Sequence, residues 1–438
     1  MSTAGGPSGY GLVLPRDTGD ESRVVARAYA RYLASCCRQF LSAATLLPAA
    51  LRPEHAAIAA IVRDALDRDE PGKVLSCFAA PAVGTALQCL ALRDDLPAFQ
   101  LRIDAAAAAM LPHLLFELQL HGLLADGTSI VWPHGAAALY SSALGGELQP
   151  PAGASGWRFS TSHLAAIAGA AELERLPVQR DAMSQALGED RCGFRFEQRC
   201  WSAGATLFAT IDHNPIAAFE AHPDKAGNCV DLGAHSETEW VAMLDESFGL
   251  VERFLPGELA EMATLLQEII PVGYDEVRHL SASYREAVGT VYLTLHPNLM
   301  TMTEALIHEF QHNKLNVAAH DAQFLHNAFH PLYKSPIRPD PRPLWGILLA
   351  VHAFLPVAEL YRRMRDAGHP FAERPDFARR MNEIDLKNHE GMDMLRAHAD
   401  LTPAGRAVFD DLEALERAHL ADRSARGLDN TPTDAHPE

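Results

Sequence analysis

The chain has 438 residues, 48% hydrophobic and 21% charged, which is enough apolar content for two domains or one large multilayer unit. A formal net charge of −19 argues against a nucleic-acid partner, whose phosphates it would repel, and suits either a neutral or basic peptide partner or simply an acidic surface. Seven cysteines, odd in number and without C-x-x-C spacing, read as reduced buried thiols and imply neither a zinc ribbon nor an iron–sulfur cluster, and the C-x-x-x-C-x-x-C run of radical SAM enzymes is absent from the sequence.

The N-terminal M-S-T-A-G-G-P-S-G-Y-G has neither a basic start nor an apolar core, so the expected location is the cytoplasm. Residues 21–145 are rich in Ala and Leu at helical spacing and read as a helical N-terminal region, 1–145. Its most apolar stretch, Ala105 to Leu124, is broken by Pro112, His113, Glu117 and His121, which points to a buried helix and not a membrane span. Gly145 to Gly156, dense in Gly and Pro, reads as a linker. The expected catalytic region is 157–421. In it Cys192 to Ile211 alternates like two short strands, and Asp212 to Lys225 is a polar loop that could face a substrate. Ser236 to Phe254, with an S-x-x-E cap, and Pro256 to Ile269 read as helices, as does Arg374 to Ala421. Residues 422–438 have the composition of a disordered tail.

The residues richest in chemistry lie between these helices. Thr301 to Asn316 reads T-M-T-E-A-L-I-H-E-F-Q-H-N-K-L-N, an H-E-x-x-H arrangement of His308, Glu309 and His312. At about 3.6 residues per turn, His308 and His312 stack on one helix face and can offer two imidazole nitrogens to one ion, with Glu309 about 100° further round. Thr301 and Glu304 form a T-x-x-E pattern that predicts the helix start. Thr290 to Leu295 (T-V-Y-L-T-L), closed by His296-Pro297, predicts a short strand feeding that helix, the local layout of zincin metalloenzymes.

An ion held by two His needs a further ligand, and Pro339 to Arg363 reads as a second, mostly apolar helix started by Pro341 and Pro343 and kinked at Pro356. Glu359 is its outstanding carboxylate. A Glu on such a face is costly unless paired or metal-bound, which makes it the first candidate, with His352, and more weakly His320 and Asp321, as competitors.

The runs H-E-F-Q-H-N-K-L-N and S-P-I-R-P-D-P-R-P-L-W-G-I-L-L-A-V-H-A-F-L-P-V-A-E resemble the αKG-HExxH proteins, iron- and 2-oxoglutarate-dependent peptide β-hydroxylases of ribosomal peptide natural-product pathways. The resemblance is strongest from 281 to 363. It implies a dioxygenase in which His308, His312 and a carboxylate such as Glu359 hold Fe(II), with 2-oxoglutarate and molecular oxygen as co-substrates and a precursor peptide hydroxylated at a β-carbon. A two-His-one-carboxylate triad leaves positions open on the iron. Arg338 or Arg342, stiffened by neighbouring prolines, would grip the far carboxylate of 2-oxoglutarate, with Ser335, Tyr333 and Lys314 as further donors. Each Arg could equally cap a helix or meet Asp340.

The alternative is a zinc metallopeptidase of gluzincin type with Glu309 as general base, and a third reading is a binding subunit that retains a metal without turnover. The expected fold class is α+β, predominantly helical, with a small β-sheet beside the H-E-x-x-H helix. The large helical N-terminal region could supply a peptide groove or recognise a leader segment, and the sequence leaves the oligomeric state open.

Overall fold

The computed structural model of the chain describes residues 11–15, 22–188, 193–219, 227–334 and 340–428. Five helices come first: α1 (Ser22–Ser42), α2 (Arg52–Asp67), α3 (Pro71–Ala79), α4 (Pro81–Ala91) and α5 (Gln100–Leu120). Prolines in the first turns of α2, α3 and α4 set the helical φ where no amide donor is needed.

The helical region ends at Leu120, earlier than the sequence predicts, and strands β1 (Ser129–Trp132), β2 (Leu139–Ser141) and β3 (Gly146–Gln149) follow. The last of these lies in the stretch that reads as a linker. Gly146 is there for packing: a Cβ on it would fall 2.1 Å from the Glu197 carbonyl oxygen of the neighbouring strand. Strands β4 (Gly156–Ser160), β5 (His163–Ala168) and β6 (Ala171–Pro177) join β1 in an antiparallel sheet of order β1-β4-β5-β6. After α6 (Arg180–Gly188), β7 (Arg195–Gln198) completes a sheet of order β2-β3-β7.

The stretch Cys192 to Ile211, expected to hold two strands, holds β7 and then an antiparallel hairpin of β8 (Cys200–Ala203) and β9 (Thr206–Ala209), with which the sheet that positions the H-E-x-x-H helix starts. Helix α7 (Glu237–Phe254) carries the predicted capping box, with the Ser236 and Glu239 side chains each taking the other's backbone amide. Helix α8 (Pro256–Leu265) stops short of the predicted Ile269, because Glu268 and Ile269 enter β10 (Glu268–Tyr274). Strand β10 runs parallel to both β9 and β11 (Thr290–Leu295), giving the order β11-β10-β9-β8. All six residues of β11 are buried, and the chain passes from it into α9 (Leu299–Ala319).

The short strands β12 (Leu332–Tyr333) and β13 (Arg342–Pro343) pair ahead of three long helices, α10 (Leu344–Asp366), α11 (Pro375–His398) and α12 (Pro403–Ala425). Residues 422–425, expected in a tail, extend α12, and 429–438 lie outside the described residues. The largest apolar core draws on α1 to α5, the sheets, α7 to α9, the second half of α10 and the first half of α11, while the first half of α10, the end of α11 and α12 form a second with Leu12, Val13 and the end of α9. The fold is a predominantly helical α+β arrangement with a small sheet beside α9. Among the described residues, two helical stretches, Pro97–Leu120 and Leu344–Asp366, are long and apolar enough to cross a membrane by length and composition. Their most apolar windows are 61% and 67% buried in the chain, so much of that surface belongs to the core.

Helix α9 is buried on more than its sheet-facing side. Lys314 is fully enclosed, its Nζ 2.6 Å from a Glu261 carboxylate oxygen and 3.6 Å from one of Glu258, both on α8 and equally enclosed. Burial alone would push the ammonium pKa down, but Glu258 and Glu261 leave it raised, and burial pushes the Glu258 carboxyl up. Gln311 of α9 donates to Glu258 and, at 2.9 Å, to the Val13 carbonyl. Lys314→Met should therefore strand two buried carboxylates and cost about 3–5 kcal/mol of stability in denaturant unfolding at neutral pH. A loss of under about 1 kcal/mol would mean that this ion cluster does not hold α9 in place.

Candidate metal centre

The H-E-x-x-H segment adopts the predicted helix, but the helix begins earlier than its sequence pattern implies. Asn298 is the N-cap, its side chain accepting from the Met300 amide at 2.9 Å, and the His296 ring accepts from the Asn298 amide at 2.9 Å. Thr301 and Glu304, read as a capping box, lie inside the helix. Glu304 instead accepts from Tyr361 of α10 and from Arg380 of α11, whose guanidinium approaches to 2.8 Å.

Four residues fasten α9 on different sides. Glu304 holds α10 and α11, and Gln311 and Lys314 hold α8 and the segment at Val13. Asn313 clamps the start of β11, its Nδ2 donating to the Thr290 carbonyl at 3.2 Å and its Oδ1 accepting from the Gly289 amide at 2.8 Å. The face that carries His308, Glu309 and His312 opens into a cavity of about 820 Å³, which Glu304 lines as well. The cavity walls come from the loop 278–284, from α10 and from the start of α11.

Each of the three residues brings a ligand atom within 4.8 Å of the other two. The imidazole rings of His308 and His312 stand 4.3 Å apart, edge to face. Ser281 Oγ donates to Glu309 Oε1 at 2.6 Å, fixing that carboxylate, while Glu309 Oε2 is buried with no hydrogen-bond partner among the described residues. The Nδ1 atom of His312 is in the same condition, and burial lowers the His312 pKa, which keeps the ring neutral and its lone pair available. Buried, unsatisfied donor atoms of this type fit a divalent ion such as zinc, for which neutral imidazole is a preferred ligand.

The other candidates are used elsewhere. Glu359 is bound by Arg363 at 2.8 Å and by His419 at 3.1 Å, contacts that hold its carboxyl below the usual range against the opposing effect of burial. It does not line the cavity. Where α10 meets the site it presents Phe354, whose ring lies 4.6 Å from that of His308. His352 is buried 2.6 Å from the Leu12 carbonyl with its pKa pushed down to about 3 by burial. His320 packs on Tyr32, Asp321 pairs with Arg31, and Tyr333 stacks on His398. Arg342 pairs with Asp340 at 2.8 Å, and Lys314 is committed to α8. Ser335 and Arg338 lie outside the described residues. Of the loop 212–225, Asp212, His213 and Asn214 line a separate cavity with His113 and Arg102, and 220–226 fall outside the described residues.

These placements correct the expectation of an iron- and 2-oxoglutarate-dependent hydroxylase. The converging ligand atoms are those of His308, Glu309 and His312, at zincin spacing. The carboxylate that a facial iron triad would need, Glu359, is tied to Arg363 and His419 instead, and Arg342, proposed for 2-oxoglutarate, faces Asp340. The peptide β-hydroxylase resemblance, with its Fe(II), 2-oxoglutarate and oxygen, therefore does not describe this site. No family model matches the chain, and none of the curated proteins compared with it is similar.

Sequence reading missed Ser281, Phe354 and the Tyr361–Glu304–Arg380 set. Ser281 sits in an unremarked S-A-S-Y run and meets Glu309 only because β11 and the first half of α9 intervene and fold back. Metal analysis after dialysis against zinc should give about one ion per wild-type chain, and His308→Ala or His312→Ala should weaken retention by at least roughly 100-fold. Equal retention in both variants would place the ion elsewhere.

Proposed function

We propose that this protein is a zinc-dependent peptidase of zincin type. The observation that carries the reading is the convergence of His308, Glu309 and His312 on one cavity-facing side of α9, with Glu309 oriented by Ser281. His308 and His312 would hold the ion. A zinc ion there would supply Lewis acidity, lowering the pKa of water and polarising a carbonyl.

The remaining work falls to the chain's own groups. Ser281 occupies Glu309 Oε1 and leaves the buried Oε2 without a hydrogen-bond partner among the described residues, so that Oε2 accepts the proton of an attacking water. Addition of that water to the peptide carbonyl forms a C–O bond. When the C–N bond breaks, Glu309 returns the proton to the departing amine nitrogen, so the carboxylate ends as it began. Glu309 is only 2% exposed, which limits competition from bulk water for its proton. Phe354, Phe371 and Phe377 give the cavity apolar walls that could seat a substrate side chain. A cavity of about 820 Å³ has room for several residues of an extended peptide.

Glu309→Gln should retain zinc while losing at least roughly 100-fold in kcat on a cleaved peptide, and Ser281→Ala should lose less, on the order of tenfold. Retention of near-normal kcat by Glu309→Gln would remove the general-base role and the peptidase reading with it.

A further inference from the structure

The chain as a whole is acidic, with 56 Asp and Glu against 37 Lys and Arg. The cavity beside His308 and His312 departs from that balance. Four arginines line it, Arg278, Arg374, Arg379 and Arg380, against three carboxylates, Glu304, Glu309 and Asp376.

The partners of these arginines are unequal. Arg380 is bound by Glu304 and Glu383, at 2.8 and 3.1 Å, and Arg374 is bound by Asp376 at 3.0 Å. Arg278 reaches one acid, Asp275, at a loose 3.8 Å, and its side chain is 59% exposed. Arg379 has no ion pair with any described residue, although acidic groups are in excess over the chain. At the cavity wall, α11 thus presents one guanidinium, that of Arg379, without an ion pair among the described residues, and the loop before β11 presents a second, that of Arg278, held by a single loose and exposed pair with Asp275. A planar guanidinium binds a carboxylate through two parallel hydrogen bonds, and that pairing strengthens when the ligand displaces water from a walled site.

We infer that the cavity selects peptides that bring a carboxylate to Arg379 and Arg278, either an acidic side chain or the free C-terminus. This rests on the reading of the site as one that takes peptides. Glu304 and Asp376 have a part in the selectivity: by holding Arg380 and Arg374 they leave Arg379 and Arg278 as the cations open to a ligand. The net charge of −19 would otherwise repel acidic peptides, so the local arginines decide which of them bind.

The test uses the full-length, zinc-loaded Glu309→Gln variant and four octapeptides carrying a neutral dye. They share one sequence with Glu or Gln at a central position, and each is made with a free or an amidated C-terminus. Fluorescence anisotropy should show roughly tenfold tighter binding of the peptides that carry the recognised carboxylate. A preference for Glu over Gln identifies the side chain, and a preference for free acid over amide identifies the C-terminus. Arg379→Ala should erase most of the preference, Arg278→Ala part of it, and Arg27→Ala on α1 none. The preference should also shrink as salt rises from 50 to 500 mM, roughly as screening shortens. Equal binding of all four peptides, no binding of any, or a preference that survives both arginine substitutions overturns the inference. Cleavage by the wild-type protein separates the two claims. Charge-selective binding without cleavage contradicts the peptidase and leaves carboxylate selection standing, whereas cleavage without charge preference does the reverse.

Discussion

A lysine buried between two glutamates sets the position of everything else in the site. Lys314 lies on the side of α9 away from the cavity, and its ammonium cannot leave Glu258 and Glu261 without stranding charge in the core. Gln311 and Asn313 add directional bonds to the residues at Val13, Thr290 and Gly289. Helix α9 is thereby fixed in rotation as well as in translation. A helix free to turn by one residue would carry His308 and His312 about 100° away from the cavity. The polar anchoring is costly in desolvation, and the return is a defined orientation for three residues whose chemistry depends on it.

The same constraint explains which parts of the molecule the sequence revealed. Local patterns were legible: the H-E-x-x-H spacing, the buried strand Thr290–Leu295, the Ser236 and Glu239 cap, and the β8–β9 hairpin all follow from periods of a few residues. The helical α+β class with a small sheet beside α9 follows from them. Partners distant in sequence were not legible. Glu359 was singled out because a carboxylate on an apolar helix must be paired or metal-bound. It is paired, with Arg363 one turn along and with His419 sixty residues further along, and periodicity alone cannot distinguish those two outcomes. Lys314 looked available to a ligand because nothing local shows that the opposite face of α9 is also buried. The Gly-rich stretch near 146 looked like a linker, since its close approach to Glu197 depends on a strand fifty residues away.

Resemblance misled for a related reason. The runs around 308–316 and 335–359 share residue types with the peptide β-hydroxylases, but chemistry follows from which side chains meet. Here the proline-flanked Arg342 meets Asp340, and α10 faces His308 with the ring of Phe354 in place of a carboxylate. What does meet is a pair of histidines, a glutamate held by Ser281 through one oxygen, and a cavity wall lined by four arginines and three carboxylates. Each fits a step of the proposed hydrolysis: ion binding, proton transfer and substrate seating.

Water labelled with oxygen-18 tests the central claim most directly. Zinc-loaded protein is incubated in it with a mixed peptide library, and the products are weighed by mass spectrometry. Hydrolysis at this site predicts paired shorter fragments, each new C-terminal carboxyl carrying one labelled oxygen from water. Full-length peptides heavier by one unlabelled oxygen atom, or a library that returns unchanged, would contradict it.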